Sequence, residues 1–124
     1  MKILVVDDKS TVLNQVSSIL SEQHQIVTAC NGLDGYEKYQ KEAFDLLIID
    51  HLMPLMNGVQ LLKNIKQQEQ ATPIIFMTTQ GKDSVAELIE QSLCDWIIEK
   101  PLNEAEFLAL IEQFDKQNTH LASL

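Results

Sequence analysis

Five short apolar runs recur along this chain at near-even intervals, and they restrict its fold more than any other feature. They occupy residues 3–6, 26–29, 46–49, 74–77 and 96–98. The second is the weakest; most of the others are unbroken runs of Ile, Val and Leu rather than alternations of apolar and polar residues. An unbroken run marks a strand covered on both faces, as in a parallel sheet. Helical patterns lie between the runs. Val12, Val16, Ile19 and Leu20 share one face after Ser10, which reads as an N-cap. Val59, Leu62 and Ile65 repeat the spacing, as do Val85, Leu88 and Ile89 in a helix predicted over 83–91. Phe107, Leu110, Ile111 and Phe114 complete the series. The stretch 33–42 is less regular, but the Asn31-Gly32 break precedes it. The order is five βα units, and right-handed crossovers would bury the sheet between two helical layers.

The 124 residues suffice for one core. The predicted domain spans 1–116, with a fraying tail at 117–124. Eighteen acids against 9 bases leave a formal charge of −9, which disfavours direct binding to nucleic acid or to an anionic membrane. No apolar run approaches the ~20 residues of a membrane-spanning helix. The opening residues lack a signal-peptide pattern, so a cytoplasmic location is the expectation. Cys30 and Cys94 have no metal-ligand spacing and read as small buried hydrophobes kept reduced.

Ligands of an open parallel sheet bind at the carboxyl ends of its strands. Four strand ends here carry polar groups: Asp7-Asp8, Asp50, Thr78-Thr79 and Lys100-Pro101. Each has a plain reading on its own. The acid pair suits a solvated loop before a helix, Asp50 a turn before Pro54, Thr78 a structural strand end, and Lys100 a solvated charge. Together they read differently. Three gathered carboxylates repel one another unless a cation sits among them, and hard oxygen donors with room for water suit Mg²⁺. A hydroxyl and an ammonium beside them suit phosphoryl oxygens. That set matches a carboxylate that accepts a phosphoryl group.

The motifs ILVVDDKS, LLIIDHLMPLMNG, PIIFMTTQG and IIEKPL, in this order and spacing, closely resemble the CheY-like receiver domains of two-component response regulators, including single-domain chemotaxis regulators. The resemblance runs from the first motif to Phe114. It implies a flavodoxin-like, doubly wound (βα)5 three-layer sandwich with strand order 2-1-3-4-5. By that resemblance Asp50 is the phosphoacceptor, and Asp7 and Asp8 hold Mg²⁺ with Asp50 and the Leu52 backbone carbonyl. Thr78 is the switch hydroxyl, and Lys100 contacts the phosphoryl group. Pro101 follows a cis peptide, and Met53-Pro54 and Gly58 form the turn after the acceptor strand. A sensor histidine kinase or histidine phosphotransfer protein would be the donor, and a protein partner would read the face spanning 83–114, with Trp96, Ile97 and Glu99 on it. A homodimer is left open.

The chain departs from the family pattern in several places. Ile97 stands where Tyr or Phe is usual, which puts aromatic coupling of the switch in doubt. Thr79 replaces a small residue, Leu93-Cys94 a Gly-Ala pair, and Glu99 an apolar residue before Lys100. Gln80 and Leu52 lie where the family tunes dephosphorylation. His51 reads as a wall of the site, and His24 and His120 have no ligand spacing. Trp96 and Tyr36 read as packing residues. The leading expectation is a stand-alone phosphoacceptor that catalyses only its own phosphorylation and dephosphorylation. The alternative is a phosphorylation-independent interaction module on the same fold. A phosphatase acting through an aspartyl phosphate would want an acid at position 52, where Leu52 stands.

Overall fold

Each apolar run forms a strand, and each intervening pattern a helical segment. The computed structural model describes residues 1–68 and 71–123, with side chains through residue 118. Strands β1 (Lys2–Val6), β2 (Gln25–Ala29), β3 (Leu46–Asp50), β4 (Ile74–Thr78) and β5 (Trp96–Glu99) alternate with α1 (Ser10–Leu20), α2 (Gly32–Lys41), α3 (Gly58–Lys66), α4 (Glu87–Glu90) and α5 (Glu104–Ser123). The strands form one parallel sheet of order β2-β1-β3-β4-β5. Asp45 sets the start of β3 by accepting the Lys2 amide at 2.7 Å, and Asp95 does the same for β5 through the Ile74 amide at 2.8 Å.

Side-chain alternation divides the core between the two faces of the sheet. Ile3, Val5, Leu46, Ile48, Ile75 and Met77 pack against α1 and α5. Leu4, Val6, Leu47, Ile49, Ile74 and Phe76 pack against α2, α3 and α4. Cys94 lies in this second cluster, where burial pushes its thiol up to about 11 and Asp95 adds to the rise. Cys30 corrects the expectation of burial: it is exposed, because it follows β2 in the loop that enters α2 and has no layer above it.

Two helix starts differ from their sequence reading. Ser10 is the first helical residue of α1; the N-cap is Lys9, which has extended backbone and no side-chain cap bond. Its own amide donates to the Asp7 carboxylate at 2.9 Å, which fixes the chain at the entry to the helix. The helix predicted over 83–91 is broken. A 3₁₀ turn, Lys82–Val85, precedes the four-residue α4. Gly81 enters it at φ 85°, and the Ser84 hydroxyl bonds back to the carbonyls of Gln80 and Gly81 at 3.0 and 2.8 Å. Such side-chain bonds compete with the helix ladder. Val85 and Leu88 still bury the same face, which is why the apolar spacing looked helical. At the other end α5 continues to Ser123, so part of the expected tail, 117–124, is helical. Leu124 and the side chain of His120 lie outside the described residues.

Candidate functional site

The carboxyl ends of β1, β3, β4 and β5 bring Asp7, Asp8, Asp50, Thr78 and Lys100 to one edge of the sheet. Carboxylate oxygens of Asp7, Asp8 and Asp50 all lie within 4.8 Å of one another. Asp7 is fully buried and Asp50 is 5% exposed, while Asp8 faces solvent. The Lys100 ammonium closes the group, donating to Asp7 Oδ2 at 2.6 Å and standing 2.8 Å from Asp50 Oδ1. Burial pushes the Asp50 carboxyl above its ordinary value; Asp7 and Asp8 add to the rise, and Lys100 opposes it. Burial alone would lower the Lys100 ammonium, but its bonds to Asp50 and Asp7 outweigh that and raise it. The site therefore holds more negative charge than one lysine neutralises, with two of its three carboxylates buried.

The turn after β3 is built for close approach. The Gly58 amide donates to the His51 carbonyl at 2.9 Å. A Cβ on Gly58 would stand 2.1 Å from the Asp50 carbonyl oxygen and 2.8 Å from the Phe76 ring, so only glycine fits beneath the aspartate. Asn57 and Gln60 form a reciprocal capping box that starts α3 at this point. Leu52 is 54% exposed and Leu55 is 78% exposed. Leu55 also takes φ 69°, a backbone region that costs a branched side chain about 1 kcal/mol or more. The Lys100–Pro101 peptide is cis.

Thr78 is fully buried. Its Oγ1 accepts the Gln80 amide at 3.0 Å and lies 2.9 Å from Nδ1 of His51. His51 packs on Phe76 with ring centroids 5.3 Å apart. The β3–β4 register pairs Asp50 with Met77, so His51 and Thr78 are the next cross-strand neighbours. No local sequence signal announces this pairing, because it depends on the register between the two strands.

At the β5 edge, Ile97 was assigned to the output face, and the structure corrects this. It is 5% exposed and packs in the cluster under α2, α3 and α4, because alternation along β5 turns it inward. Trp96 faces the other way and is 47% exposed, so it is a surface residue rather than a packing one. Glu99 is exposed and accepts the Lys82 amide at 3.0 Å. Tyr36 is half-buried against the core, and its hydroxyl accepts from Gln68 at 3.0 Å.

The response regulator receiver domain profile matches residues 3–112. This chain belongs to that family. It is 32% identical over 112 residues to a CpxR-homologue transcriptional regulatory protein of Haemophilus influenzae, covering 90% of this chain and 48% of the relative. It is 34% identical over 113 residues to the response regulator ArlR of Staphylococcus aureus, covering 89% and 50%. The chain thus spans about half the length of these curated relatives. Among solved structures, a CheY-like receiver domain protein of Methanospirillum hungatei superposes with a TM-score of 0.86 at 27% identity, covering 96% and 97% of the two chains. Chemotaxis protein CheY4 of Vibrio cholerae gives 0.84 at 29%, covering 91% and 97%. Receiver domains are the phosphoacceptor switch modules of two-component systems, and they generally bind Mg²⁺ in an acidic pocket. No helix among the described residues is long and apolar enough to cross a membrane.

Proposed function

We propose that this receiver domain accepts a phosphoryl group on Asp50 and transmits it as a change of shape running from Thr78 to the β5 edge. The observation that carries this reading is the Lys100 ammonium lying against both Asp7 and Asp50, 2.6 and 2.8 Å away. A fixed cation beside a buried acceptor carboxylate is placed to receive oxygens that arrive with the phosphoryl group. An Asp50 oxygen would form the new P–O bond while the P–N bond of a phosphohistidine donor breaks, and the departing imidazole takes up a proton.

The donor set fits Mg²⁺: three carboxylates, two of them buried and one solvent-facing, offer hard oxygens and leave room for water. Asp7, Asp8 and Asp50 would hold it with the Leu52 carbonyl. When bound, the ion would supply charge compensation for the transferred oxygens. Thr78 would turn its hydroxyl toward the phosphoryl group, and Lys100 would hold a second oxygen.

The donor would be a sensor histidine kinase or a histidine phosphotransfer protein in the cytoplasm. A downstream protein would read the face spanning 83–114, where Trp96 and Glu99 are exposed. Because Ile97 is buried and carries no ring, the signal would pass through the Thr78 loop and α4. The short α4 and the 3₁₀ turn before it support that route.

Acetyl phosphate with Mg²⁺ should add one labile phosphoryl group, seen by intact mass, and Asp50→Asn should abolish it. Labelling that survives in Asp50→Asn overturns the assignment. A phosphorylation-independent interaction module is favoured instead if Asp50→Asn leaves regulated partner binding unchanged. Weak Mg²⁺ binding lost in Asp8→Ala would support the metal set, and unchanged affinity would count against it.

A further inference from the structure

The Thr78 hydroxyl is already engaged. It is fully buried, and its oxygen accepts the Gln80 amide. A hydroxyl has one proton to give, and a buried one gives it to an acceptor. Among the described residues, the side-chain nitrogen within hydrogen-bonding distance of Oγ1 is His51 Nδ1 at 2.9 Å, and the direction of that bond follows the ring tautomer. A neutral imidazole with its proton on Nε2 accepts at Nδ1. The ring is held for this role from two sides. Its backbone continues the β3–β4 ladder, with the His51 amide donating to Met77 O at 2.9 Å. Its face leans on Phe76.

We infer that His51 is a positioning residue for the switch: its Nδ1 latches the Thr78 hydroxyl in the unphosphorylated state, and a phosphoryl group on Asp50 must win that hydroxyl from it. This rests on Asp50 being the acceptor. The latch sets the balance between two arrangements of the β4–α4 loop, so its strength fixes how readily the switched state forms. Thr78 cannot donate one proton to both partners, and the hydrogen bond to His51 therefore subtracts from the affinity for a phosphoryl group or its mimic.

The test is beryllofluoride titration, with Mg²⁺, of the whole chain as wild type, His51→Phe and His51→Asn, each also in a Thr78→Val background. Phe keeps the ring packed on Phe76 but removes the acceptor. Asn keeps an acceptor oxygen near the Nδ1 position. Releasing one buried hydrogen bond should tighten mimic binding about 3- to 10-fold in His51→Phe. His51→Asn should bind like wild type, and His51→Phe should have no effect when Thr78→Val has already removed the hydroxyl. Equal affinity for wild type and His51→Phe overturns the latch, and so does the same gain in the Thr78→Val background. A wild type that binds no beryllofluoride refutes the Asp50 reading. The latch is then decided by ring ¹⁵N shifts in the untreated protein: an Nδ1 shift moved by Thr78→Val supports it, and an unmoved one overturns it.

Discussion

Strands β3 and β4 bury every one of their residues, whereas β5 buries one of four. The middle of the sheet is covered by helices on both faces and ends in Asp50 and Thr78. The β5 edge is covered on one side by α4, a single turn, preceded by a 3₁₀ segment. Both regions contribute to one site: Asp50 and Thr78 end the central strands, and Lys100 follows the edge. The difference suggests a division of labour. A chemical group that must stay in register belongs on a strand that cannot move without opening the core. A surface that must change belongs where little packing resists it. Lys100 joins the two regions by bonding a central aspartate from the edge.

Four substitutions would break or sharpen this contrast. The largest expected loss is in the centre. Asp7 is fully buried, pairs with Lys100 and accepts the Lys9 amide just before α1. Asp7→Ala should cost about 3 kcal/mol in urea unfolding, although removing an acid from a crowded acidic group would by itself be favourable. A gain in stability would show that repulsion outweighs the ion pair.

Gly58→Ala should cost about 1–3 kcal/mol, because the added methyl must displace both the Asp50 backbone and the Phe76 ring. It should also slow labelling by acetyl phosphate. A neutral effect would mean that the turn beneath Asp50 yields more easily than its packing implies.

Asp50→Asn should work in the opposite direction and raise the melting temperature of the metal-free chain by roughly 2–6 °C at neutral pH. Burial raises the Asp50 carboxyl above its ordinary 3.8, so folding disfavours the charged form. The contribution of this group is fully present below 3.8 and is lost as pH rises through its raised folded value. The advantage of the variant should therefore shrink toward zero on acidification below that range. The raised Lys100 group keeps its contribution below its ordinary 10.5 and loses it as pH climbs through its folded value. A melting profile from acid to alkaline pH checks both signs.

The smallest change is expected at the edge. Glu99→Gln keeps an oxygen for the Lys82 amide on an exposed strand, and should alter stability by less than about 0.5 kcal/mol. A larger loss would mean that the edge is more tightly built than its burial suggests.

Much of the fold was legible because it rests on local pattern. The unbroken apolar runs at 3–6, 46–49 and 74–77 specify strands covered on both faces, and the acids and lysine at the strand ends follow from where such strands stop. Ser10 misled because a good capping residue stood one position inside the helix, where Lys9 is the N-cap and makes no side-chain cap bond. The run at 83–91 misled because Val85 and Leu88 keep helical spacing through a 3₁₀ turn.

What the amino-acid order determined by itself was which residues alternate, which segments are buried on both sides, and which polar groups arrive at the carboxyl edge. Those are consequences of periodicity and of the energy of burying apolar surface, and both act along a short stretch of chain. What only the tertiary structure decided depends on register between strands far apart in sequence. Register sets His51 opposite Thr78 and turns Ile97 inward and Trp96 outward. Packing across the sheet edge brings Lys100 to Asp7, 93 residues away. A shift of one residue in β3 or β5 would turn that strand's side chains to the opposite faces, and no local pattern carries that information.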